Sequence, residues 1–127
     1  MSQIILIVDD SKLARMVVKS ILAKTRADWQ TVEAANAQEA LDLLAVKAVD
    51  IALIDFNMPD RDGLSLAAEM RASSPDMPIA ILSANAQDAI LARARELDAA
   101  FVEKPLSEDT LNDFLSGAVL RLKRAAQ

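Results

Sequence analysis

Short apolar runs alternate along the chain with segments whose apolar residues recur at helical spacing. Ile4–Val8 is apolar at every position and too short for a helix, and Ile51–Ile54 and Ile79–Leu82 share that character. Runs apolar on both faces suit a parallel sheet covered by helices on both sides. Thr31–Ala34 is a weaker run, of the kind found nearer a sheet edge, and Ala99–Val102 is a fifth short strand candidate. Helical stripes fill the gaps. Leu13, Met16, Val17 and Ile21 predict one inward face, and Ala37, Ala40, Leu41, Leu44 and Ala45 another. A shorter helix is expected over Asp62–Ala72 with Leu66, Ala67 and Met70 inward, so that Met16 and Met70 both fall on core stripes. Ala86–Leu97 carries only Ile90, Ala94 and Leu97, a thin stripe that predicts a loosely held helix. Leu111, Phe114, Leu115, Ala118, Val119 and Leu122 form the clearest stripe. Asn36 with Glu39 three residues on reads as a capping box, and Ser107 before Glu108 and Asp109 as another helix start.

Five strands alternating with five helices predict an α/β fold, (βα)5, in which right-handed crossovers build a doubly wound five-stranded parallel sheet. No linker, repeat or low-complexity tract interrupts the pattern, so residues 1–127 read as one domain. The chain stops about where the fifth helix ends, and no output domain is expected after it.

Composition narrows the chemistry. The 127 residues are 53% hydrophobic, enough for a sizeable core. There is no Cys and no His. That removes disulfides, thiol nucleophiles, Cys- or His-ligated metals, Ser-His-Asp triads and a His phosphocarrier. Any chemistry falls to carboxylates, hydroxyls, Lys and Arg. With 14 Lys+Arg against 19 Asp+Glu, the formal charge is −5. Direct nucleic-acid binding is therefore not expected, since phosphate contacts need clustered cations. Arg121, Lys123 and Arg124 read as complements of a helix C-terminus. No apolar run approaches the ~20 residues of a spanning helix, and the first residues lack a basic leader region. A cytoplasmic protein without membrane contact is expected.

In an open α/β sheet, ligands bind beyond the carboxyl ends of the strands. Asp9 and Asp10 follow the first strand. Asp55, Phe56, Asn57, Met58, Pro59 and Asp60 follow the third, Ser83, Ala84 and Asn85 the fourth, and Glu103, Lys104 and Pro105 the fifth. Each residue alone is an ordinary cap, turn or solvated side chain; together they bring three carboxylates, a hydroxyl and an ammonium to one sheet edge. Clustered carboxylates repel one another, and a divalent cation offsets that. Oxygen-only donors favour Mg²⁺ over zinc. A carboxylate in such a site can itself be a nucleophile and form an acyl phosphate. Lys104 and Ser83 would then neutralise and hydrogen-bond the phosphoryl oxygens.

The pair Asp9-Asp10, Asp55, Asn57-Met58-Pro59, Gly63, Ser83-Ala84 and Lys104-Pro105 resembles the receiver domain of two-component response regulators, over essentially the whole chain. The length resembles the stand-alone chemotaxis CheY type, with the receiver of a longer multidomain regulator as the alternative. The resemblance implies a strand order of 2-1-3-4-5. It implies that Asp55 accepts a phosphoryl group from a His of a partner histidine kinase or phosphotransfer protein, with self-phosphorylation and autodephosphorylation as the domain's own activities. Asp10, Asp55 and the Asn57 backbone carbonyl would ligate Mg²⁺ (or Mn²⁺), with Asp9 acting through water. Lys104 would pair with the phosphoryl group, and the Lys104–Pro105 bond would be cis. Ser83 and Phe101 would form the switch to a downstream protein that reads the face of the fourth helix, fifth strand and fifth helix. A monomer or a phosphorylation-dependent dimer would result. Ser83 stands where many receivers carry Thr, and Phe101 where Tyr is common. Asn57 and Asn85 would border the path of a hydrolytic water.

Two other classes share these residues. A dedicated Mg²⁺ phosphatase forming an aspartyl phosphate typically carries a second acid two residues after the nucleophile, where this chain has Asn57. A receiver-like binding module that is never phosphorylated would not need the complete acidic set with Lys104. Trp29 reads as packing or a partner contact. Gly117, inside the last helix, costs about 1 kcal/mol against Ala and marks either a close contact or a tolerated site.

Overall fold

The three runs that are apolar at every position occupy the middle of a parallel sheet, where both faces are covered. In the computed structural model, which describes residues 2–127, β1 (Ile4–Val8), β2 (Gln30–Ala34), β3 (Ile51–Asp55), β4 (Ile79–Ser83) and β5 (Ala100–Glu103) alternate with helices. These are α1 (Lys12–Thr25), α2 (Ala37–Val46), α3 (Gly63–Ser73), α4 (Asp88–Glu96) and α5 (Glu108–Ala125). The strand order is β2-β1-β3-β4-β5, all parallel. Every residue of β3 and β4 is buried.

Side chains alternate across each strand, so the sheet has two apolar layers. Leu6, Val8, Ala52, Ile54, Ile79 and Ile81 point to one face, where Ala37 and Ala40 of α2, Leu64, Ala67 and Met70 of α3, and Ile90 and Ala94 of α4 cover them. Ile5, Ile7, Ile51, Leu53, Ala80 and Leu82 point to the other, beneath Val18 and Leu22 of α1 and Leu111, Leu115 and Ala118 of α5. Trp29 packs at the margin of this second layer, with the Arg26 guanidinium 5.3 Å from its ring centroid.

The inward face of α1 departs from the expected one. Leu13, Met16 and Val17 are 70%, 50% and 43% exposed, whereas Val18 and Leu22 are buried. Both stripes have helical spacing, so periodicity alone cannot choose between them. The N-terminus fixes the phase: Ser11 Oγ accepts from the Ala14 amide, and the Arg15 guanidinium donates to the Asp9 carbonyl. Positions 15, 18 and 22 therefore face the sheet. Leu22→Ala is expected to cost about 2–4 kcal/mol in urea denaturation and Met16→Ala less than about 0.5 kcal/mol. Equal losses would restore the other stripe.

Helix starts also differ in detail. Asn36 Oδ1 caps the Glu39 amide, but Glu39 Oε1 reaches the Ala35 amide rather than that of Asn36. Asp60, in the loop after β3, accepts from the Ala37 and Gln38 amides at 3.1 and 3.0 Å and so ties α2 to that loop. Ser107 caps α5 as expected, and it does so through a capping box with Thr110. Ala45 is exposed rather than inward. α4 begins at Asp88, and its N-cap Gln87 supplies no side-chain bond. At the other end of α4, Arg71 donates to the carbonyls of Leu97, Asp98, Ser74, Pro75 and Met77 at 2.6–3.2 Å. Arg121 adds bonds to the Asp98 and Pro75 carbonyls and an ion pair to Asp98.

Candidate functional site

Strand register assembles the site. Val8 pairs with Ile54, so Asp9 and Asp55 come next, side by side. Asp55 pairs with Leu82 and Ser83 with Glu103, which brings Ser83 and then Lys104 to the same edge from the other side. The ladders continue past the strands: Asp9 N donates to Ala34 O, Phe56 N to Leu82 O, and Lys104 N to Ser83 O. Backbone positions at this edge are thus set by the sheet rather than by free loops.

One carboxylate oxygen from each of Asp9, Asp10 and Asp55 lies within 4.8 Å of the others. Asp9 and Asp55 are buried and Asp10 is exposed. Lys104 Nζ sits 2.8 Å from Asp55 Oδ1 and 3.3 Å from Asp9 Oδ2. The other Asp9 oxygen accepts from the Ser11 amide at 2.9 Å. Burial pushes the Asp55 carboxyl above its ordinary range, and the negative charges of Asp9 and Asp10 push the same way; the Lys104 ion pair opposes them without prevailing. For Lys104 burial acts downward, but the pairs with Asp55 and Asp9 outweigh it, and the ammonium holds its proton more tightly than usual. One ammonium facing three carboxylates leaves excess negative charge in a partly dry site. An oxygen-donor cavity of that charge fits a hard divalent cation such as Mg²⁺.

The remaining expected residues sit around this cluster. Asn57 lies two residues beyond Asp55 on the exposed rim. Ser83 is buried at the end of β4, its hydroxyl engaged with its own loop through the Asn85 amide at 3.0 Å. Phe101, on edge strand β5, is half-buried against the layer that holds α4. The Lys104–Pro105 peptide bond is cis. Gly63 opens α3 against β3. A Cβ there would collide with the Asp55 carbonyl oxygen and lie 3.0 Å from Ile54 Cγ2, so only glycine permits this approach. Gly117, in contrast, has open space around a Cβ position, which favours the tolerated reading.

Two supporting residues have no local sequence signal. Arg15 bonds the Asp9 carbonyl at 2.6 Å, and Asp60 caps a helix 23 positions earlier in the chain. Among the described residues, no helix is long and apolar enough to cross a membrane.

Known proteins place this architecture. A family description of the response regulator receiver domain matches residues 5–116. The transcriptional regulatory protein PdtaR of Mycobacterium tuberculosis is 35% identical over 121 residues, which is 94% of this chain but 58% of that protein. The chain thus spans less than two thirds of that relative. The chemotaxis protein CheY of Thermotoga maritima is 30% identical over 118 residues, covering 91% of this chain and 97% of the relative. The crystal structure of a CheY-like receiver domain protein from Methanospirillum hungatei superposes with a TM-score of 0.87 at 25% identity, covering 98% and 99% of the two chains. With sheet order, acidic edge and family match in agreement, the chain belongs to the response regulator receiver domains of two-component signalling.

Proposed function

We propose that Asp55 accepts a phosphoryl group from a phosphohistidine of a partner histidine kinase or phosphotransfer protein, and that the resulting acyl phosphate changes the α4-β5-α5 face read by a downstream protein. One observation carries the reading. Asp55 is a buried carboxylate at the end of the central strand, with the acidic pair on one side and Lys104 on the other, 2.8 Å away. Asp9, Asp10, Asp55 and the Asn57 carbonyl would hold Mg²⁺ or Mn²⁺, whose contribution is to neutralise charge where two anions must meet. An Asp55 oxygen attacks phosphorus, the new O–P bond forms as the donor's N–P bond breaks, and the released imidazole takes a proton from solvent. Lys104, already paired with Asp55, neutralises the incoming phosphoryl oxygens. Ser83 exchanges its Asn85 bond for one to the phosphoryl group. Asn57 and Asn85 flank the route of the water that later hydrolyses the acyl phosphate.

The exposed side chains of Leu13, Met16 and Val17 lie in the first turns after Asp9-Asp10, an apolar rim on which a protein donor can rest. For output, Ser83 moving inward vacates space beside half-buried Phe101, and α4 lacks a side-chain cap at the end nearest Ser83. Relatives such as PdtaR extend beyond the matched region, so the reader of this face is a second protein or a further domain of the same chain. The same reading puts the chain in the cytoplasm, with its ATP-fed phosphoryl donors.

Incubation with acetyl phosphate and Mg²⁺ should add one phosphoryl mass that hydroxylamine removes and a chelator prevents. Beryllofluoride should change amide exchange chiefly between Ser83 and Leu111. No added mass would refute the acceptor reading, and exchange changes confined to α2 would move the output face elsewhere.

A further inference from the structure

The Asp9 carbonyl lies one residue past the end of β1 and has lost its place in the ladder, because β2 ends at Ala34, whose own carbonyl takes the Asp9 amide. Arg15 reaches this carbonyl from α1, with Nη1 at 2.6 Å. A second guanidinium nitrogen, Nε, donates to Glu33 Oε1 on β2 at 3.0 Å, and Lys19 holds the other Glu33 oxygen at 3.0 Å. The Arg15 side chain is only 15% exposed. A planar fork bonded at two points has little freedom, and charge-assisted bonds of this kind are short and strong.

The bonded carbonyl belongs to the peptide that joins Asp9 to Asp10. Its orientation decides where the Asp10 Cα, and hence the Asp10 carboxylate, is placed. Asp10 needs this help: it is exposed, and among the described residues nothing donates a hydrogen bond to its side chain. Asp9, by contrast, is held at its amide, its carbonyl and both carboxylate oxygens.

We propose that Arg15, braced by Glu33, is a positioning residue that fixes the Asp9–Asp10 peptide and so points the exposed Asp10 carboxylate at Asp55. Arg15 itself touches neither the cation nor the phosphoryl group. The inference rests on the proposed cation site, but its first readout does not. In cation-free protein, Arg15→Gln should speed exchange of the Ser11 amide, which donates to Asp9 Oδ1, at least about tenfold, and by more than it speeds the β1–β2 ladder amides. In calorimetry the same variant should bind Mg²⁺ about tenfold more weakly, the size usual when a partner of a metal ligand is removed. With acetyl phosphate, the Mg²⁺ concentration for half-maximal labelling should rise by the same factor, while the rate at saturating Mg²⁺ is retained. Lys19→Gln removes one positive charge from the same cluster without touching the Asp9 carbonyl, and should leave Mg²⁺ affinity within about twofold.

Unchanged exchange at the Ser11 amide in Arg15→Gln overturns the proposal, as does equal weakening by Lys19→Gln, which would make the effect one of charge alone. If Arg15→Gln does not fold, Arg15→Lys decides. Its single ammonium will go to the Glu33 carboxylate and leave the Asp9 carbonyl unpaired, so Mg²⁺ affinity should still fall about threefold; wild-type affinity overturns the proposal. A wild-type protein that binds no Mg²⁺ refutes the cation site, while the exchange readout still judges Arg15.

Discussion

Asp55→Asn is expected to abolish phosphoryl incorporation from acetyl phosphate and, at neutral pH, to raise the melting temperature. The first effect follows from losing the proposed nucleophile. The amide has neither the charge nor the basicity to attack phosphorus, so added mass should fall below detection. The second follows from the sign of the Asp55 shift. Burial raises this carboxyl above its ordinary value of 3.8 in the folded protein, with Asp9 and Asp10 adding to the effect. Between that ordinary value and the raised one, the folded state binds more protons than the unfolded state, and stability falls as pH rises through the window. Above the window the cost is fully present. Asn has no proton to lose, so the gain should be absent below about pH 3.8 and grow as pH rises through the window. Lys104 keeps a partner in Asp9 at 3.3 Å, which limits what the substitution removes. Thermal melts across this range check the sign. A lower melting temperature at neutral pH would mean that the Lys104 pair outweighs the burial of Asp55, and undiminished labelling would place the acceptor elsewhere.

Gly63→Ala should be the most damaging small substitution near the site. The added methyl meets the Asp55 carbonyl oxygen, with Ile54 Cγ2 at 3.0 Å and the Asp55 carbonyl carbon at 3.1 Å. These atoms belong to the central strand, laddered on both sides, and cannot retreat as a flexible side-chain end would. Overpacking ordinarily costs about 1–3 kcal/mol, and a backbone obstacle argues for about 3. That is roughly 10 °C in melting temperature for a domain of this size. Acetyl-phosphate labelling should slow as well, since α3 cannot shift without moving the peptide of Asp55, the proposed acceptor. Gly117→Ala provides the contrast. Nothing lies within 4 Å of its Cβ position in α5, and the exchange should stabilise the helix by up to about 1 kcal/mol. Equal effects at the two glycines in urea denaturation would contradict the packing described.

The legible parts of this molecule are those governed by short-range rules. Ile51–Ile54 and Ile79–Leu82 had to be covered on both faces, and that requirement places them at the centre of a parallel sheet. Asp9, Asp55, Ser83 and Lys104 follow or close their strands directly, so finding the strands found the edge they share. The inward face of α1 was legible only at Ile21, which packs against the second layer; the expected Leu13, Met16 and Val17 and the buried Val18 and Leu22 both recur at helical spacing. The choice between them lies in bonds from Arg15 to Asp9 and Glu33. Asp60 is a similar case: its natural reading is a turn residue after Pro59, yet its carboxylate serves the amides of Ala37 and Gln38. Such bonds join segments far apart in the chain, and no periodicity announces them. The start of α5 was legible at Ser107, which is its N-cap, and only the partner of its capping box, Thr110 at the third helical position, went unread.

The unequal fastening of α4 has a mechanical consequence. Its far end is held through Leu97 and Asp98 by two guanidinium groups that also grip the loop before β4, while its near end, beside Ser83, rests on an uncapped Gln87. A rod fixed at one end moves as a lever, and displacement grows with distance from the pivot. At about 1.5 Å per residue, a helix of 9 residues gives an arm of roughly 13 Å. A tilt of about 10° therefore carries Asp88 some 2 Å while Glu96 scarcely moves. With the Arg71–Arg121 anchor as pivot, a small rearrangement at the proposed phosphoryl site would become a graded displacement of α4, largest next to Ser83 and smallest at Glu96.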